Sequence, residues 1–172
     1  MIGSTKGVPI QMPKYCFLLL FLLALGCAAR QPSSSIYDEQ ADAHHDVTAA
    51  IATAEASKRN IVLIFGANWC GDCHALNEQM HKPELAAIIE KTFVVVEIDL
   101  GRWDKNLDLA DKYHVPIKRG IPALAVLDPH GKLLYAMDQG QFADARSMSY
   151  ESIKAFFEQW KPKTFVIGSL SH

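Results

Sequence analysis

The feature that most limits what this chain can fold into is an uninterrupted apolar run, Ile61–Phe65, which is rich in β-branched residues. A run without alternating polar residues is typical of a strand that is buried on both faces inside a sheet. Gly66-Ala67-Asn68 follows this run, and helical spacing begins at Cys73 and continues to about His81. The order of strand, turn and helix predicts an α/β fold.

Periodic apolar patterns along the rest of the chain extend this prediction. Helical spacing is found at 46–57, 73–81, 84–91, 104–114 and 149–160, and strand patterns are found at 61–65, 93–98, 123–127 and 132–137. Asp46, Asp104 and Ser149 stand where their side chains can cap three of these helices. Helices between successive strands imply parallel pairing, and the final two strands are expected to form an antiparallel hairpin. We therefore predict a central mixed four-stranded sheet flanked by helices, with one helix before the first strand.

The first 29 residues have the composition of an export signal. Two lysines precede an uncharged run over 15–29, which is short for a membrane span because a span needs about 20 apolar residues. The segment Leu23-Ala24-Leu25-Gly26-Cys27 resembles a bacterial lipobox, and it predicts that Cys27 is lipidated. The alternatives are ordinary cleavage one or two residues beyond Cys27 and an uncleaved anchor.

The polar stretch over 30–45 is interpreted as a flexible tether. It leads into a folded domain over 46–162, which is followed by a short tail over 163–172. Each alternative for the N-terminus places the domain outside the cytoplasm. We therefore expect an extracytoplasmic protein that lies in the periplasm and is anchored by lipid to a bacterial membrane.

The four cysteines of the chain divide by position. Cys16 lies inside the export signal and Cys27 would carry the lipid, which leaves Cys70 and Cys73 in the domain. A single pair gives no disulfide framework, and a closely spaced pair in an oxidising compartment is more often catalytic than structural.

The position of Cys70-Gly71-Asp72-Cys73 between a buried strand and a helix has a chemical consequence. Unpaired N–H groups and the positive dipole end of the helix favour a thiolate on the first cysteine. Cys70 is therefore predicted to be the nucleophile. Cys73 lies one turn further along, and it is predicted to attack the mixed disulfide that Cys70 forms.

Over residues 46–160 the chain resembles the thioredoxin superfamily in three stretches, which are Phe65–Cys73, Val96–Asp99 and Arg119–Leu124. This resemblance implies the thioredoxin fold and the activity of a protein disulfide oxidoreductase with no cofactor. Within the superfamily, the chain looks most like the periplasmic C-terminal domain of DsbD-type disulfide reductant carriers and small secreted thioredoxin-like proteins. The partners implied are proteins with disulfides or thiols, together with an upstream thiol redox partner.

The same resemblance implies roles for residues around the cysteines. Pro122 is expected to be cis and to lie against the cysteines. Ile121 is expected to offer its backbone to an extended substrate peptide. Trp69 is interpreted as an aromatic wall beside the cysteines, and Gly71 and Asp72 complete the predicted substrate-binding residues.

The chain departs from thioredoxin near the second cysteine. Ile64 stands where thioredoxins carry a buried Asp, and Val95 stands where they carry its Lys partner. Cys73 is therefore predicted to pass its proton to water or to a carboxylate such as Glu97.

Two further departures bear on specificity. Asp72 competes with a thiolate for the helix dipole, so it is expected to raise the pKa of Cys70. A raised value favours a reductant or an isomerase over a strong oxidant. The segment 100–119 is longer than its thioredoxin counterpart, and it either borders the site or represents ordinary loop variation.

Two other hypotheses remain open for the cysteine motif. Cys70-Gly71-Asp72-Cys73-His74 is also a string that attaches c-type haem, with His74 as one iron ligand and Met80 or His81 as another. The second hypothesis is a thioredoxin-fold binding or chaperone module whose cysteines are incidental. Otherwise His74 is an exposed helix residue beside the site, and Trp103 and Trp160 are packing residues.

Charge and motif content argue against several other classes of function. A net charge near −2 gives no electrostatic footprint for nucleic acid. The sequence contains no Gly-rich phosphate loop, Ser/His/Asp arrangement or zinc-type spacing, so we expect no metal and no bound cofactor.

Overall fold

Four strands form one mixed sheet with helices packed against it in the computed structural model of the chain, which describes residues 35–163. The helices are α1 (Ala43–Ser57), α2 (Gly71–Met80), α3 (Pro83–Thr92), α4 (Leu107–Lys112) and α5 (Tyr150–Trp160), and the strands are β1 (Asn60–Gly66), β2 (Phe93–Asp99), β3 (Ala123–Leu127) and β4 (Leu133–Ala136). This architecture confirms the predicted α/β class. The predicted export signal and Cys27 lie outside the described residues, as does the tail beyond residue 163. Within 35–163, no helix is both long enough and apolar enough to cross a bilayer.

The strands lie in the order β2-β1-β3-β4, which places the wholly buried β1 inside the sheet. β1 and β2 are parallel, as predicted. β3 runs antiparallel to β1, with Ala123 opposite Phe65, so the parallel pairing expected for β3 is wrong. The only α-helix between β2 and β3 is the six-residue α4, which spans about 9 Å against about 23 Å for a seven-residue strand. The chain therefore stays at the end of the sheet where β1 and β2 finish, and β3 starts beside the end of β1.

The N-terminal segment, residues 35–42, is part of the folded domain, which corrects the tether expected there. Tyr37 is 1% exposed. The side-chain amide of Asn68 accepts the N–H of Tyr37 at 3.0 Å and donates to its carbonyl oxygen at 2.9 Å. Burial of a large aromatic ring stabilises a fold strongly. One aromatic residue thus fixes a segment whose polar composition suggests a linker.

The start of α1 also differs from the prediction. The helix begins at Ala43 because Asp42, and not Asp46, is its N-cap. Asp42 Oδ1 accepts the backbone N–H of His44 at 3.1 Å, and it accepts that of the next residue at the same distance. The predicted cap of α5 is confirmed, since the hydroxyl of Ser149 accepts a backbone N–H three residues later at 3.1 Å.

The loop over 100–106 precedes α4, which begins three residues later than predicted. Asp104 does not cap this helix, because its Oδ1 accepts the backbone N–H two residues earlier at 2.8 Å. The buried side chain of Asp99 holds the loop from inside the domain. Asp99 accepts the N–H of Gly101 at 3.1 Å and the ammonium of Lys105 at 3.0 Å.

The last helix covers the sheet with the predicted apolar stripe. Ile153 and Phe157 are fully buried, while Phe156 and Trp160 are partly buried. Trp160 stacks on Tyr135 of β4 with ring centroids 4.8 Å apart, so its predicted packing role is confirmed.

Candidate active site

Cys70 and Cys73 are joined by a disulfide at the start of α2, with their Cα atoms 5.2 Å apart. Cys70 is the N-cap of α2, and its Sγ accepts the backbone N–H of Cys73 at 3.1 Å. Both side chains are buried. The helix N-terminus therefore faces the Cys70 sulfur, an arrangement that favours a thiolate there once the disulfide is reduced.

The peptide between Ile121 and Pro122 lies beside Cys70. This bond is cis, and the carbonyl oxygen of Ile121 is 3.5 Å from Cys70 Sγ. Both residues are buried immediately before β3. The antiparallel pairing of β3 with β1 brings together residues that lie 51 positions apart in the sequence.

Two tryptophans form an exposed aromatic rim next to the cysteines. Trp69 is 46% exposed, and its Nε1–H donates to the carbonyl oxygen of Gly101 at 2.7 Å. Trp103 is 43% exposed, and its ring lies 5.8 Å from that of Trp69. Trp103 is therefore not the packing residue that was predicted. It belongs to the rim with Trp69.

A groove that Trp103 helps to line runs along the longer segment 100–119. Its volume is about 710 Å³. The lining is apolar at Leu107, Val115 and Ile117, with cationic groups from Lys118 and Arg119. Because Trp103 belongs to both the rim and the groove, the longer segment borders the site.

Asp72 between the cysteines is paired with Arg146, which the sequence did not indicate. Asp72 accepts hydrogen bonds from Arg146 Nη2 at 2.9 Å and Nε at 3.2 Å, and from the backbone N–H of Arg146 at 3.0 Å. These hydrogen bonds lower the pKa of Asp72 below its usual value. The guanidinium also lies against Gly71, where an added Cβ would be 3.5 Å from it. The prediction for Asp72 treated it as an unpaired charge, and the structure shows that it is paired.

Comparison with known proteins places this site in a family. The sequence description of the thioredoxin-like family matches residues 42–129. The chain belongs to that family. This thioredoxin-like chain is also 43% identical to a disulphide isomerase of Xylella fastidiosa of known crystal structure. The match covers 72% of this chain and 95% of that one, with a TM-score of 0.70.

Curated relatives of this thioredoxin-like chain include two longer proteins. It is 27% identical over 128 residues to a protein disulfide-isomerase of Datisca glomerata, a match that covers 72% of this chain. It is 33% identical over 98 residues to a protein disulfide-isomerase of Schizosaccharomyces pombe, covering 56% of this chain. The matched stretch is 24% of either relative, so the chain spans about a quarter of their length.

The position of the buried thioredoxin acid is apolar in this thioredoxin-like domain. Ile64 is buried in β1, and Glu97 is its partner on β2. Glu97 lines a cavity of about 290 Å³ with Met80, His81 and Ile89. Burial raises the pKa of Glu97, and the charge of His81 partly offsets this rise. That Glu97 accepts the proton of Cys73 stays a prediction.

His74 has a structural contact that the sequence did not suggest. It is half-buried, and one of its ring nitrogens, Nε2, lies 2.8 Å from the carbonyl oxygen of Asn68. Since the Cys70 and Cys73 sulfurs are bonded to each other, the geometry favours redox chemistry over haem attachment for this motif.

Besides the rim position of Trp103, sequence reasoning also missed Arg146 and Tyr37. Arg146 lies in a short 3₁₀ turn, where no periodic pattern marks it. Tyr37 did carry a signal, because Ile36 and Tyr37 form an apolar pair inside a polar stretch. An isolated apolar pair of this kind can indicate a segment that packs against the domain.

Proposed function

We propose that this chain is an exported thiol-disulfide oxidoreductase that reduces disulfides in other proteins. The observation that carries the proposal is the Cys70–Cys73 disulfide at the N-terminus of α2, with the carbonyl oxygen of Ile121 3.5 Å from Cys70 Sγ. Membership of the thioredoxin-like family and similarity to disulfide isomerases support the same chemistry.

Reduction of a substrate takes two displacements at sulfur. The Cys70 thiolate attacks one sulfur of the substrate disulfide, forms a mixed disulfide and releases the other substrate sulfur as a thiolate. The Cys73 thiolate then attacks Cys70 Sγ, releases the second substrate sulfur and leaves the enzyme disulfide. Two electrons pass to the substrate, water protonates the released thiolates, and an upstream thiol partner returns two electrons to the enzyme.

The substrate in this proposal is a protein segment in an extended conformation. The substrate segment can lie beside Cys70 along the backbone of Ile121 and the cis-Pro122 turn. The exposed faces of Trp69 and Trp103 give it an apolar wall. These features suit an unfolded or misfolded protein, which offers extended backbone and apolar side chains.

Isomerisation of protein disulfides is the second candidate function. It is favoured by the names of the relatives, since the Xylella fastidiosa protein and both curated relatives are disulfide isomerases. Isomerisation begins with the same Cys70 attack, but a substrate thiol then displaces Cys70 before Cys73 acts. Repair of scrambled ribonuclease without net reduction would favour this candidate.

Export and lipid attachment are the remaining parts of the proposal. The uncharged run over 15–29 and the lipobox-like sequence ending at Cys27 support them. The test is metabolic labelling of bacteria with a radioactive fatty acid. Label on the wild type and none on Cys27→Ser supports the anchor, and equal labelling of both proteins contradicts it.

Insulin reduction by dithiothreitol tests the central activity. The full-length protein is prepared with Cys16→Ser and Cys27→Ser, so that only Cys70 and Cys73 remain reactive. We expect this protein to accelerate insulin precipitation, and we expect Cys70→Ser to abolish the acceleration. In cells, Cys73→Ser should retain substrates as mixed disulfides with Cys70. Failure to accelerate the reaction, together with no trapped protein, contradicts the proposal. An unchanged cellular effect of Cys70→Ser would instead favour a binding or chaperone module.

A further inference from the structure

The phenol of Tyr37 and the sulfur of Cys73 both lie close to the same point in the interior, the place of a Cβ on Gly66. Gly66 leaves this point open because it has no side chain. A Cβ built on Gly66 would lie 2.1 Å from Tyr37 Oη and 2.8 Å from Cys73 Sγ. The hydroxyl and the second sulfur are therefore neighbours across the bare backbone at the end of β1.

Tyr37 is held in this position by hydrogen bonds to its backbone and by the packing of its ring. Its backbone is fixed by the two hydrogen bonds with the side-chain amide of Asn68, two residues before Cys70. Its ring is 1% exposed and belongs to the apolar core. A side chain fixed in this way loses little conformational freedom when it makes a further hydrogen bond.

Burial, together with the carboxylates around Tyr37, keeps its phenol protonated. Burial raises the pKa of Tyr37 well above the ordinary tyrosine value, and the carboxylates of Glu97 and Asp99 raise it further. Asp99 is paired with Lys105. A phenol that stays protonated at neutral pH can donate a hydrogen bond to a nearby thiolate, but it cannot take up a proton from a thiol.

We propose that the Tyr37 hydroxyl donates a hydrogen bond to the Cys73 thiolate and so stabilises the group that resolves the mixed disulfide. This role rests on the proposed function. Before resolution, Cys73 loses its proton to water and becomes a thiolate with Tyr37 as donor. It then attacks Cys70 Sγ, the bond between Cys70 and the substrate breaks, and the substrate sulfur leaves as a thiolate. Tyr37 keeps its proton throughout.

The inference accounts together for the apolar Ile64 and for the glycine at position 66. The position of the buried acid is the apolar Ile64, so no acid there can take the proton of Cys73. A Cys73 thiolate formed by losing its proton to water still needs a group that stabilises its charge. A neutral donor does so without placing a second negative charge beside the thiolate. Gly66 lets the donor approach, because any larger residue would fill the space between the hydroxyl and Cys73.

The first test measures the titration of Cys73 directly. Full-length protein with Cys16→Ser, Cys27→Ser and Cys70→Ser keeps Cys73 as its single cysteine, and the ¹³Cβ shift of Cys73 is followed against pH. We expect Tyr37→Phe to move the midpoint upward by about one pH unit, the size expected for one lost hydrogen bond to a charged group. Tyr135→Phe, which removes a hydroxyl from β4, is the matched control and should leave the midpoint in place.

The second test separates the two chemical steps with Ellman's reagent. In protein that retains both Cys70 and Cys73, attack by Cys70 on the reagent releases one thionitrobenzoate. Resolution by Cys73 then releases a second. Tyr37→Phe should slow the second release about tenfold and leave the first unchanged, since only the resolving thiolate loses its donor. A purely structural role for Tyr37 would affect both releases or neither.

The outcomes distinguish this inference from the proposed function. An unchanged Cys73 midpoint in Tyr37→Phe overturns the role of Tyr37, whatever the protein does to insulin. A moved midpoint with no insulin reduction supports Tyr37 and removes the proposed activity. If Tyr37→Phe does not fold, the ¹³Cζ shift of Tyr37 in the otherwise unaltered single-cysteine protein is followed instead. That shift must change as Cys73 titrates, and a constant shift overturns the inference.

Discussion

Arg146 binds Asp72 through two guanidinium nitrogens and through its own backbone N–H. The Asp72 side chain is 12% exposed and that of Arg146 is 67% exposed, so the cation covers the carboxylate from the solvent side. The two residues are 74 positions apart in sequence. The pair joins the turn before α5 to the first turn of α2 between Cys70 and Cys73, and it places a positive charge next to the negative one.

Loss of the Arg146 cation should make Cys70 harder to ionise. In Arg146→Met the Asp72 carboxylate remains beside the helix N-terminus without its partner, and it then opposes a thiolate on Cys70. We expect the pH midpoint of Cys70 alkylation to rise by roughly half a unit to one unit. Iodoacetamide alkylation of the reduced protein against pH, followed by mass spectrometry, measures this midpoint.

A double variant provides the control for the Arg146 experiment. Asp72→Asn combined with Arg146→Met removes both charges, so the midpoint should return close to the wild-type value. A rise that persists in the double variant would mean that Arg146 acts on Cys70 directly, and not through the Asp72 carboxylate.

The Asn68 amide should be worth several degrees of thermal stability. It makes two hydrogen bonds to the backbone of Tyr37, at 3.0 and 2.9 Å, and a third to Glu39 at 3.0 Å. Asn68→Ala removes all three, and the two to Tyr37 contribute roughly 1 kcal/mol each, so the melting temperature should fall by about 4–8 °C. Circular dichroism measures the change, and limited proteolysis should cut residues 35–42 faster. Asn77→Ala on α2 is the control, and an equal loss there would contradict a specific role for Asn68.

Contiguous patterns in the sequence predicted the strands and most helices well. The apolar run Ile61–Phe65 lies within β1, and Ser149 caps α5 as predicted. These features depend on neighbours only a few residues apart, so a local pattern is sufficient evidence for them. The cysteine pair was predictable for the same reason, since four consecutive residues define it.

Pairings between distant parts of the chain could not be derived in the same way. Nothing local in the sequence links Arg146 to Asp72, or Tyr37 to Asn68, because each pair depends on how separate elements pack. The direction of β3 was missed because the rule for helical connections assumes a helix long enough to cross the sheet. α4 has only six residues, because the loop before it continues to residue 106 where the sequence pattern predicted helix.

The two rim tryptophans should matter for protein substrates and not for small disulfides. Trp69 is exposed, and it is oriented by its hydrogen bond to Gly101 and by the ring of Trp103. Trp69→Ala should lower kcat/KM for insulin reduction about tenfold, which corresponds to burial of about 50–60 Å² of apolar surface by the substrate. Trp103→Ala should lower it by a smaller factor, because Trp103 supports Trp69.

A small disulfide substrate distinguishes a lost contact with the protein substrate from a distorted cysteine site in these tryptophan variants. Reduction of hydroxyethyl disulfide reports on the cysteines alone, so both variants should retain the wild-type rate. Trp160→Phe, which alters packing on Tyr135, is the control for a general loss of aromatic surface. Equal losses for insulin and for the small disulfide would show that the rim positions the cysteines and does not bind protein.

Glu97 should make the stability of the domain fall as pH rises. Its pKa in the folded protein is raised, chiefly by burial, so the fold favours the protonated form. The stabilisation from the neutral carboxyl is complete below the ordinary glutamate pKa, and it is lost as pH rises through the raised value.

Glu97→Gln removes this dependence, so it should melt about 2 °C above the wild type at pH 7 and level with it near pH 4. Differential scanning calorimetry at both pH values measures this, with Glu78→Gln on an exposed face of α2 as the control. A Gln variant that melts below the wild type at pH 7 would show that the charged carboxylate stabilises the fold, which is the opposite sign.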